Sequence, residues 1–254
     1  MSTVDERPIA GAVPRWEIPG WRERFGLIAG VTGRGSDSAA PFDLGLYADV
    51  PVAESMRRWA EFRDAFAGVE GMVISRQVHG TALRWHRELP AGWLLLDGLD
   101  GHATAAGSRL LLVTVADCVP IYLAAPKHGV IALLHAGWRG TAGGILRAGL
   151  DVLHAVAGTD PRDVVMHCGV AICGSCYEVG HEVAEALGVM TTGVERVHVD
   201  LRSILADQGA ALGVGEVTVS GHCTAHEPAA FFSHRRSGGR DGRMVGYLGR
   251  IAAG

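Results

Sequence analysis

The sequence lacks an apolar run of the roughly 20 residues that a membrane-spanning helix needs. Its longest apolar runs have about the length of one β-strand. Residues 1–20 carry charges and prolines but no apolar segment of the kind found in a secretory signal. The net charge is −4 and the basic residues are scattered, so there is no charge pattern for nucleic acid or an anionic membrane. We therefore expect a cytoplasmic protein with neither a nucleic-acid nor a membrane partner.

Cysteine is infrequent and odd in number, since the 254 residues contain five. An odd count argues against a disulfide framework and suits a reducing compartment, where cysteines serve as metal ligands, nucleophiles or core residues. The composition is 48% apolar and 20% charged, which is ordinary for a globular protein and argues against disorder. A chain of this length can bury a large core, in one large domain or two small ones.

Apolar periodicity predicts one mixed α/β domain. Strand-sized apolar runs follow one another from residue 71 onward, and several are apolar on both faces, which indicates sheets that are covered on both sides. Helical spacing predicts helices at 52–67, 141–157, 178–187 and 200–212. The expected apolar face of the first helix consists of Met56, Trp59, Phe62 and Phe66. We expect residues 1–20 to form a flexible arm and residues 21–254 to form the single domain.

Three strand-like runs each end in a side chain that can bind a metal. His79 follows the first run, Cys118 follows the second after Asp117, and His135 ends the third. Imidazole and thiolate are natural ligands of zinc and copper, and three protein ligands leave the open position that a catalytic metal needs. The spacings of 39 and 17 residues match no short zinc motif, and a single His or Cys at a strand end is commonly inert.

A glycine-rich stretch with an arginine follows His135, directly ahead of the predicted helix at 141–157. The free backbone amides of a helix start can bind an anion, and Arg139 can add a charged fork for phosphate. The stretch lacks the Gly-Lys-Ser/Thr ending of a phosphate-binding P-loop. Tight packing of small residues between strand and helix explains the glycines equally well.

Cys173 and Cys176 form a C-x-x-C pair, which is compatible with a redox pair or with half of a zinc site. A zinc site would call for a second such pair, and the sequence has no other C-x-x-C. We therefore interpret the pair as local packing.

Five ordered blocks of sequence resemble a known family. They are QVHG at 77–80, TVADCVPIYLAAP at 114–126, GVIALLHAGWRGTAGGIL at 129–146, CYEVG at 176–180 and FFSHRRSGGRDGRM at 231–244. Together they identify the chain as similar to the laccase-domain family, also called YfiH-like proteins. The resemblance covers about residue 26 to the end.

The resemblance implies a single layered α/β/β/α sandwich that forms one catalytic domain at 21–254. It implies a metal on His79, Cys118 and His135, with zinc as the expected ion and copper as the alternative. Asp117 is expected beside the metal, as an acid or base or as a group that orients a ligand histidine. The candidates for binding substrate and phosphate are Arg34, Arg76, Gln77, Trp138, Arg139, Gly140, His234 and Arg235.

The activity implied by the resemblance is phosphorolysis of purine nucleosides. The substrates would be adenosine, inosine and S-methyl-5′-thioadenosine, the products the free base and a (5-methylthio)ribose 1-phosphate, and adenosine deamination a second reaction. The signature of zinc nucleobase deaminases, which combines H-x-E with P-C-x-x-C, is absent, so deamination would need another arrangement. Monomer and homodimer both remain open.

The sequence is also compatible with three other functions. Copper-dependent oxidation of phenols is the main alternative, although the sequence lacks the tandem H-x-H motifs of multicopper oxidases. The triad can also hold a structural metal in a binding module, which would require a fourth protein ligand. A cysteine hydrolase that pairs Cys118 with His135 is the third.

Overall fold

The computed structural model describes residues 2–37, 40–46, 50–191 and 195–250. Two seven-stranded sheets form the centre of the fold. The strands are, in chain order, β1 (Ser2–Thr3), β2 (Arg7–Ile9), β3 (Arg15–Glu17), β4 (Leu27–Thr32), β5 (Gly71–Arg76), β6 (Leu83–His86), β7 (Gly92–Asp97), β8 (Gly101–Thr104), β9 (Arg109–Val115), β10 (Val119–Ala125), β11 (Val130–Ala136), β12 (Val165–Cys168), β13 (Glu178–Gly180), β14 (Arg196–His198), β15 (Glu216–Val219) and β16 (Met244–Arg250).

The first sheet has the order β1-β15-β12-β10-β11-β8-β6, and the second has the order β2-β3-β4-β16-β9-β5-β7. Strands β13 and β14 form a separate antiparallel pair. All seven residues of β10 and of β11 are buried, as expected for central strands that are covered on both faces. These two strands pair antiparallel in the register Val119↔Ala136, which brings the start of β10 beside the end of β11.

The helices are α1 (Trp21–Phe25), α2 (Val52–Asp64), α3 (Trp138–Gly143), α4 (Ile145–Ala157), α5 (His181–Ala186), α6 (Leu201–Ala211) and α7 (His234–Ser237). Short 3₁₀ turns lie at Pro126–His128 and Pro161–Asp163. Asp200 begins α6 and accepts hydrogen bonds from the backbone N–H groups of Arg202 at 2.9 Å and Ser203 at 3.3 Å. Two of the predicted helices are interrupted: Gly144, at φ 84°, separates α3 from α4, and residues 178–180 form β13 ahead of α5.

Three apolar layers hold the sheets and helices together. The layer between the two sheets includes Val31, Val113, Tyr122, Leu133 and Leu248. The outer face of the first sheet packs against α4 and α6 through Leu123, Leu134, Met166, Leu153 and Leu205. The outer face of the second sheet packs against α2 through Met72, Ile74, Leu110, Trp59 and Phe62. The order of layers is therefore helix, sheet, sheet, helix, which confirms the predicted α/β/β/α sandwich.

One residue of the predicted face of α2 is not in the core. Trp59 and Phe62 are buried, but Met56 is 66% exposed. Its side chain lies at a surface groove that Trp93 and Leu95 also line. Helical spacing correctly places Met56 on the side of α2 that faces the second sheet. It does not show how far the sheet extends beneath the helix.

The N-terminal segment is part of both sheets rather than an arm beside them. Strand β1 pairs in parallel with β15, and β3 pairs antiparallel with β4. Between these strands the buried carboxylate of Glu6 lies 3.1 Å from Nε2 of His167 and accepts the Ser220 hydroxyl at 2.6 Å. The described residues before 21 thus belong to the folded domain. The expectation of an arm arose because strands of two or three residues leave no readable periodicity.

No helix in the described parts of the chain combines the length and the apolar character needed to cross a membrane.

Candidate metal centre

Three side chains from three different segments meet where the two sheets adjoin. His79 lies in the turn after β5, Cys118 in the turn between β9 and β10, and His135 near the end of β11. One ligand atom of each lies within 4.8 Å of the others. The rings of His79 and His135 are in edge contact, with their centroids 4.9 Å apart. The second sheet supplies β5 and β9 and the first supplies β10 and β11, so the group depends on the packing of both sheets.

The two turns at this group have unusual backbone. His79 has φ 60° and Asp117, immediately before Cys118, has φ 81°, although neither is glycine. Such a conformation costs of order 1 kcal/mol or more and persists only where neighbouring groups enforce it.

A buried carboxylate enforces the turn around His79. Asp100 accepts the backbone N–H groups of Val78 at 3.2 Å, His79 at 2.9 Å and Gly80 at 2.7 Å. Burial raises the pKa of Asp100, but the hydrogen bonds from His135 and from these N–H groups outweigh it and lower the pKa overall. Asp100 is therefore a carboxylate at neutral pH. The groups that contact it in this turn are all hydrogen-bond donors, namely the backbone N–H groups of residues 78–80 and the ring of His135.

The same carboxylate fixes the orientation of His135. Nδ1 of His135 lies 2.9 Å from Oδ1 of Asp100, so Nδ1–H donates and Nε2 is left for a metal or for Cys118. A carboxylate behind a histidine is the usual arrangement around a metal ligand, because it fixes the tautomer and makes the ring a better donor.

Cys118 and His135 form a polarised pair. Burial raises the pKa of the Cys118 thiol, but the charge of His135 and hydrogen bonds from His135 and His79 bring it down to about 6. Burial lowers the pKa of His135, but the Cys118 thiolate and Asp100 raise it to about 9. The thiol is thus prepared to act as a thiolate, the form that binds a metal.

The donor set suits zinc. One thiolate and two imidazoles match the ligand types of catalytic zinc sites that have three protein ligands. His135 is 3% exposed, Cys118 is half-buried and His79 is exposed, so the group opens to solvent on the His79 side. Within the described residues, the group contains no fourth His, Cys, Asp or Glu.

The open side faces a cavity of about 790 Å³, which is of a size suited to a small-molecule ligand. Its lining includes all three members of the group and three arginines, Arg76, Arg240 and Arg243. The other lining residues are Asp43, Gly45, Leu46, Val50, Ser75, Gln77, Thr114, Ala116, His234, Gly239, Asp241 and Gly242. The cavity therefore combines a metal-binding group with cationic side chains.

Three of the predicted substrate residues line this cavity, namely Arg76, Gln77 and His234. Arg76 donates from Nε to Asp97 at 2.9 Å. Gln77 donates from Nε2 to the carbonyl of Thr114 at 2.8 Å and accepts the Thr114 N–H at 2.7 Å, so its amide joins the end of β5 to β9.

The other five predicted substrate residues, namely Arg34, Trp138, Arg139, Gly140 and Arg235, are not part of the cavity lining. Arg34 donates to Asp241 at 2.7 Å, and Arg139 lies over the ring of Trp138, 4.4 Å from its centroid. Arg235 donates to the carbonyl of Glu178 at 2.5 Å.

The Asp117 carboxylate is hydrogen-bonded to residues outside the metal-binding group. It accepts the Thr224 hydroxyl at 2.5 Å and the backbone N–H of Arg235 at 2.6 Å. These bonds fix the turn that presents Cys118. The carboxylate that orients a ligand histidine is Asp100, and the role of Asp117 as an acid or base stays a prediction.

The glycines after His135 pack closely against the group. A Cβ at Gly137 would lie 3.1 Å from Sγ of Cys118 and 3.2 Å from Cδ2 of His79. A Cβ at Gly140 would lie 3.0 Å from the carbonyl oxygen of Gly80. The tight packing that the sequence allows for this stretch is present, while phosphate binding at the start of α3 stays a prediction.

Sequence reasoning missed Asp100, Arg240 and Arg243. Asp100 is 35 residues from His135, and no local pattern connects the two. The two arginines lie in the block FFSHRRSGGRDGRM, which supports the resemblance, so a signal for them was present.

A comparison with protein families identifies the group to which this architecture belongs. Residues 32–251 match the family described as multi-copper polyphenol oxidoreductase laccase. The chain belongs to this family. The match includes His79, Asp100, Cys118 and His135, and it confirms the resemblance seen in the sequence.

Relatives in this laccase family carry names of purine nucleoside enzymes. The chain is 35% identical over 250 residues to purine nucleoside phosphorylase YlmD of Geobacillus stearothermophilus, covering 89% of this chain and 90% of that protein. It is 37% identical over 207 residues to purine nucleoside phosphorylase of Deinococcus radiodurans, covering 78% of this chain and 77% of that protein. It is 36% identical over 160 residues to adenosine deaminase RL5 of an unknown prokaryotic organism, covering 58% and 61%.

Solved structures share the fold. The crystal structure of YlmD from Geobacillus stearothermophilus aligns with a TM-score of 0.84 at 28% identity, covering 97% of this chain and 99% of that chain. The crystal structure of the hypothetical protein YfiH from Bacillus licheniformis aligns with a TM-score of 0.84 at 25% identity, covering 93% and 96%. The layered sandwich is thus the fold of the family.

Proposed function

We propose that this protein is a metal-dependent enzyme of purine nucleosides. Its reaction would be phosphorolysis of adenosine, inosine and S-methyl-5′-thioadenosine to the free base and a (5-methylthio)ribose 1-phosphate, with adenosine deamination as a second reaction. The observation that carries the proposal is the group of His79, Cys118 and His135 at a cavity that three arginines line. The names of relatives that match most of the chain support the class of substrate.

The proposed metal is zinc on His79, Cys118 and His135, with copper as the alternative. The half-buried thiol, the buried imidazole and the exposed imidazole suit a site with an open position toward the cavity. Zinc bound there would supply Lewis-acid stabilisation of negative charge on the substrate.

The chain's own residues would position the reactants. Phosphorolysis needs an anion beneath C1′ of the ribose, stabilisation of an oxocarbenium-like transition state, and a proton for the departing purine. Arg76, Arg240 and Arg243 supply positive charge in the cavity for phosphate. His234 lines the same cavity and is the imidazole that we assign to proton transfer with the purine.

Two further residues would act through others. Asp100 holds His135 with Nε2 directed away from the carboxylate, and it fixes the turn that carries His79. Gln77 holds the end of β5, where Arg76 lies, against β9, which leads to Cys118. Both are positioning residues in this proposal.

The test is an assay of metal-analysed protein with inosine or adenosine, with and without phosphate, in which the products are separated by chromatography. We expect free base and ribose 1-phosphate only in the presence of phosphate, and neither product from His79→Ala or Cys118→Ala. His198→Ala, at an exposed position of β14, is the control and keeps the activity. Unchanged nucleosides after incubation with metal-loaded wild-type protein would overturn the proposal.

Phenol oxidation at copper is the second candidate, and the description of the matching family favours it. The described residues, however, form only one group of two histidines and one cysteine, whereas multicopper sites need many more histidine ligands. Oxygen uptake by copper-loaded protein with a phenol distinguishes the two candidates. Rapid uptake together with an intense blue colour would favour the oxidase.

The polarised pair of Cys118 and His135 favours a third candidate, a cysteine hydrolase. Such an enzyme would work without metal and would be inactivated by a thiol alkylator. Full activity of metal-free protein that is lost on alkylation would support it, and activity that requires metal would exclude it.

A further inference from the structure

A second group of metal-binding side chains lies outside the site described above. It consists of Cys173, Cys176, Cys223 and His226, whose ligand atoms all lie within 4.8 Å of one another. We refer to these four residues as the Cys₃His cluster. Three thiols and one imidazole are a donor set of structural zinc sites.

The distances within the cluster are close to those a bound zinc ion would impose. Sγ of Cys176 lies 3.1 Å from Nε2 of His226, and with one ligand atom taken from each of the four residues all of these atoms lie within 4.8 Å of one another. Tetrahedral zinc, with bonds of roughly 2.0 to 2.3 Å, separates its ligand atoms by about 3.5 to 3.8 Å. The four side chains therefore need shifts of less than about 1.5 Å to bind such an ion.

The sequence spacing supports the same interpretation. Cys173 and Cys176 form a C-x-x-C, and Cys223 and His226 form a C-x-x-H. Two short pairs of ligands, each within one turn of chain, are the usual composition of a structural zinc site. The second pair is missed when the sequence is searched only for another C-x-x-C.

Backbone contacts hold the two pairs together. Ala171 and Cys223 form a parallel bridge, and the N–H of Thr224 donates to the carbonyl of Ala171 at 3.2 Å. The N–H of Cys173 donates to Sγ of Cys223 at 3.3 Å. The two loops therefore place the ligands side by side, so that little rearrangement is required when a metal binds.

A disulfide explains the cluster less well than a metal does. One disulfide joins two of the three sulfur atoms and leaves the third thiol and the imidazole without a role. Cys223 is 4% exposed, whereas His226 is exposed and Cys173 and Cys176 are partly so, which gives an ion a path from solvent. Four protein ligands close the coordination sphere, and a closed sphere is the mark of a structural site rather than a catalytic one.

We propose that the Cys₃His cluster is a structural zinc site that fastens the loop at 173–177 to the loop at 223–227. The second loop also supports the first site, because the hydroxyl of Thr224, beside Cys223, donates to Asp117, beside Cys118. The cluster thus binds its own ion and stabilises the wall behind Cys118.

The test counts the metal ions in protein purified without chelators. We expect two zinc ions per chain in the wild type. Cys176→Ser, at a partly exposed position, and His226→Asn, at an exposed one, each lose one ion and keep the other. Cys118→Ala also loses one ion, from the first site. Cys168→Ser is the control, since Cys168 is a buried cysteine outside both groups, and it keeps two ions.

A second measurement requires no variant of the cluster. Cobalt exchanged for zinc gives a sulfur-to-metal absorption band that increases with the number of bound thiolates. The cluster offers three thiolates and the first site offers one. Cys118→Ala should therefore keep about three quarters of the band of the wild type.

Two results would overturn the proposal. The first is a single metal ion of any kind per chain that Cys176→Ser and His226→Asn both retain. The second is an unreduced mass two hydrogens below that of the reduced chain, with the missing hydrogens mapped to the cluster as a disulfide. Neither result depends on nucleoside turnover, so they test the cluster independently of the proposed function.

Discussion

The Asp100 carboxylate accepts Nδ1–H of His135 at 2.9 Å while it accepts the backbone N–H of His79 at the same distance. One buried side chain thus orients one proposed ligand by its ring and another by its backbone. The side chain belongs to neither β5 nor β11, but to the turn that precedes β8. Both ligands therefore respond to a change at a single position.

Asp100→Asn should weaken metal binding without abolishing the fold. An amide keeps one acceptor oxygen but presents an N–H₂ group to donors, so at least one of the bonds to residues 78–80 or to His135 is lost. We expect a 10- to 100-fold loss of metal affinity, roughly the usual effect of removing a carboxylate behind a metal-binding histidine. Competition with a chromophoric chelator measures it. Asp151→Asn, on the exposed side of α4, is the control, and equal affinity in the two variants would contradict the prediction.

Gly137→Ala should weaken metal binding through steric contact of the new Cβ with the proposed ligands. The new Cβ would lie 3.1 Å from Sγ of Cys118 and 3.2 Å from Cδ2 of His79, so at least one of these side chains must move. Gly137 has φ −82°, which alanine adopts readily, and no backbone strain is added. We expect at least a tenfold loss of metal affinity together with a thermal unfolding midpoint close to that of the control.

The control for this change is Gly180→Ala. Gly180 also precedes a helix, α5, has φ −76°, and has no atom within 4 Å of the position of a Cβ. Both substitutions therefore replace the glycine immediately before a helix with alanine. Only Gly137→Ala adds an atom beside the metal-binding group. If the two variants bind metal equally well, the close packing at Gly137 is unimportant for the site.

Arg240→Gln should affect the binding of phosphate more than that of the nucleoside. Glutamine keeps much of the length of the side chain but removes its charge from the cavity. Hydrogen bonds to charged groups contribute about 1.5 to 3 kcal/mol, so we expect the KM for phosphate to rise by about tenfold or more. Arg84→Gln, on β6 and outside the cavity lining, is the control. An unchanged KM for phosphate would remove Arg240 from the proposed site.

Stability should fall on acidification because of two buried histidines. Burial, with a further contribution from Arg84, lowers the pKa of His86 to about 4. Burial, together with the charges of His86 and Arg84, lowers the pKa of His102 to about 3. Unfolded histidines titrate near 6.5, so below that pH the unfolded chain takes up protons that the folded chain does not. Stability present above about pH 6.5 is thus lost progressively toward pH 4.

The expected loss between pH 7 and pH 5 is about 2 kcal/mol in the free energy of unfolding for each of these histidines. Urea unfolding at the two pH values measures it. The double variant His86→Gln/His102→Gln lacks both titrating groups, and its free energy should change less with pH than that of the wild type. An equal change in the two proteins would show that groups other than these two histidines cause the acid sensitivity.

Much of the fold could be predicted because the two sheets are apolar on both faces. Long buried strands such as β10 and β11 produce apolar runs that are visible without any partner information. Strands of two or three residues such as β1 and β2 produce none, since their stability comes from pairing with residues distant in sequence. The same limit explains why residues 1–20 were expected to be an arm.

In the candidate site, too, some residues could be predicted from the sequence and others could not. His79, Cys118 and His135 could be predicted because each follows an apolar run and ends it with a metal-binding side chain. Asp100 could not, because its importance lies in bonds to residues 20 and 35 positions away. The partner of the C-x-x-C pair was missed because it is a C-x-x-H almost fifty residues later, and ligand pairs need not repeat the same residue types.

Strand β16, the last one described, lies in the middle of the second sheet, between β4 and β9. Of the strands in this sheet, the central one is therefore the last to be synthesised and to leave the ribosome. Until residues 244–250 emerge, β4 and β9 present unpaired edges, which are the surfaces that recruit other chains and favour aggregation. Chains that stop before β16 would lack the strand that pairs with both β4 and β9. We expect such chains to be degraded or insoluble.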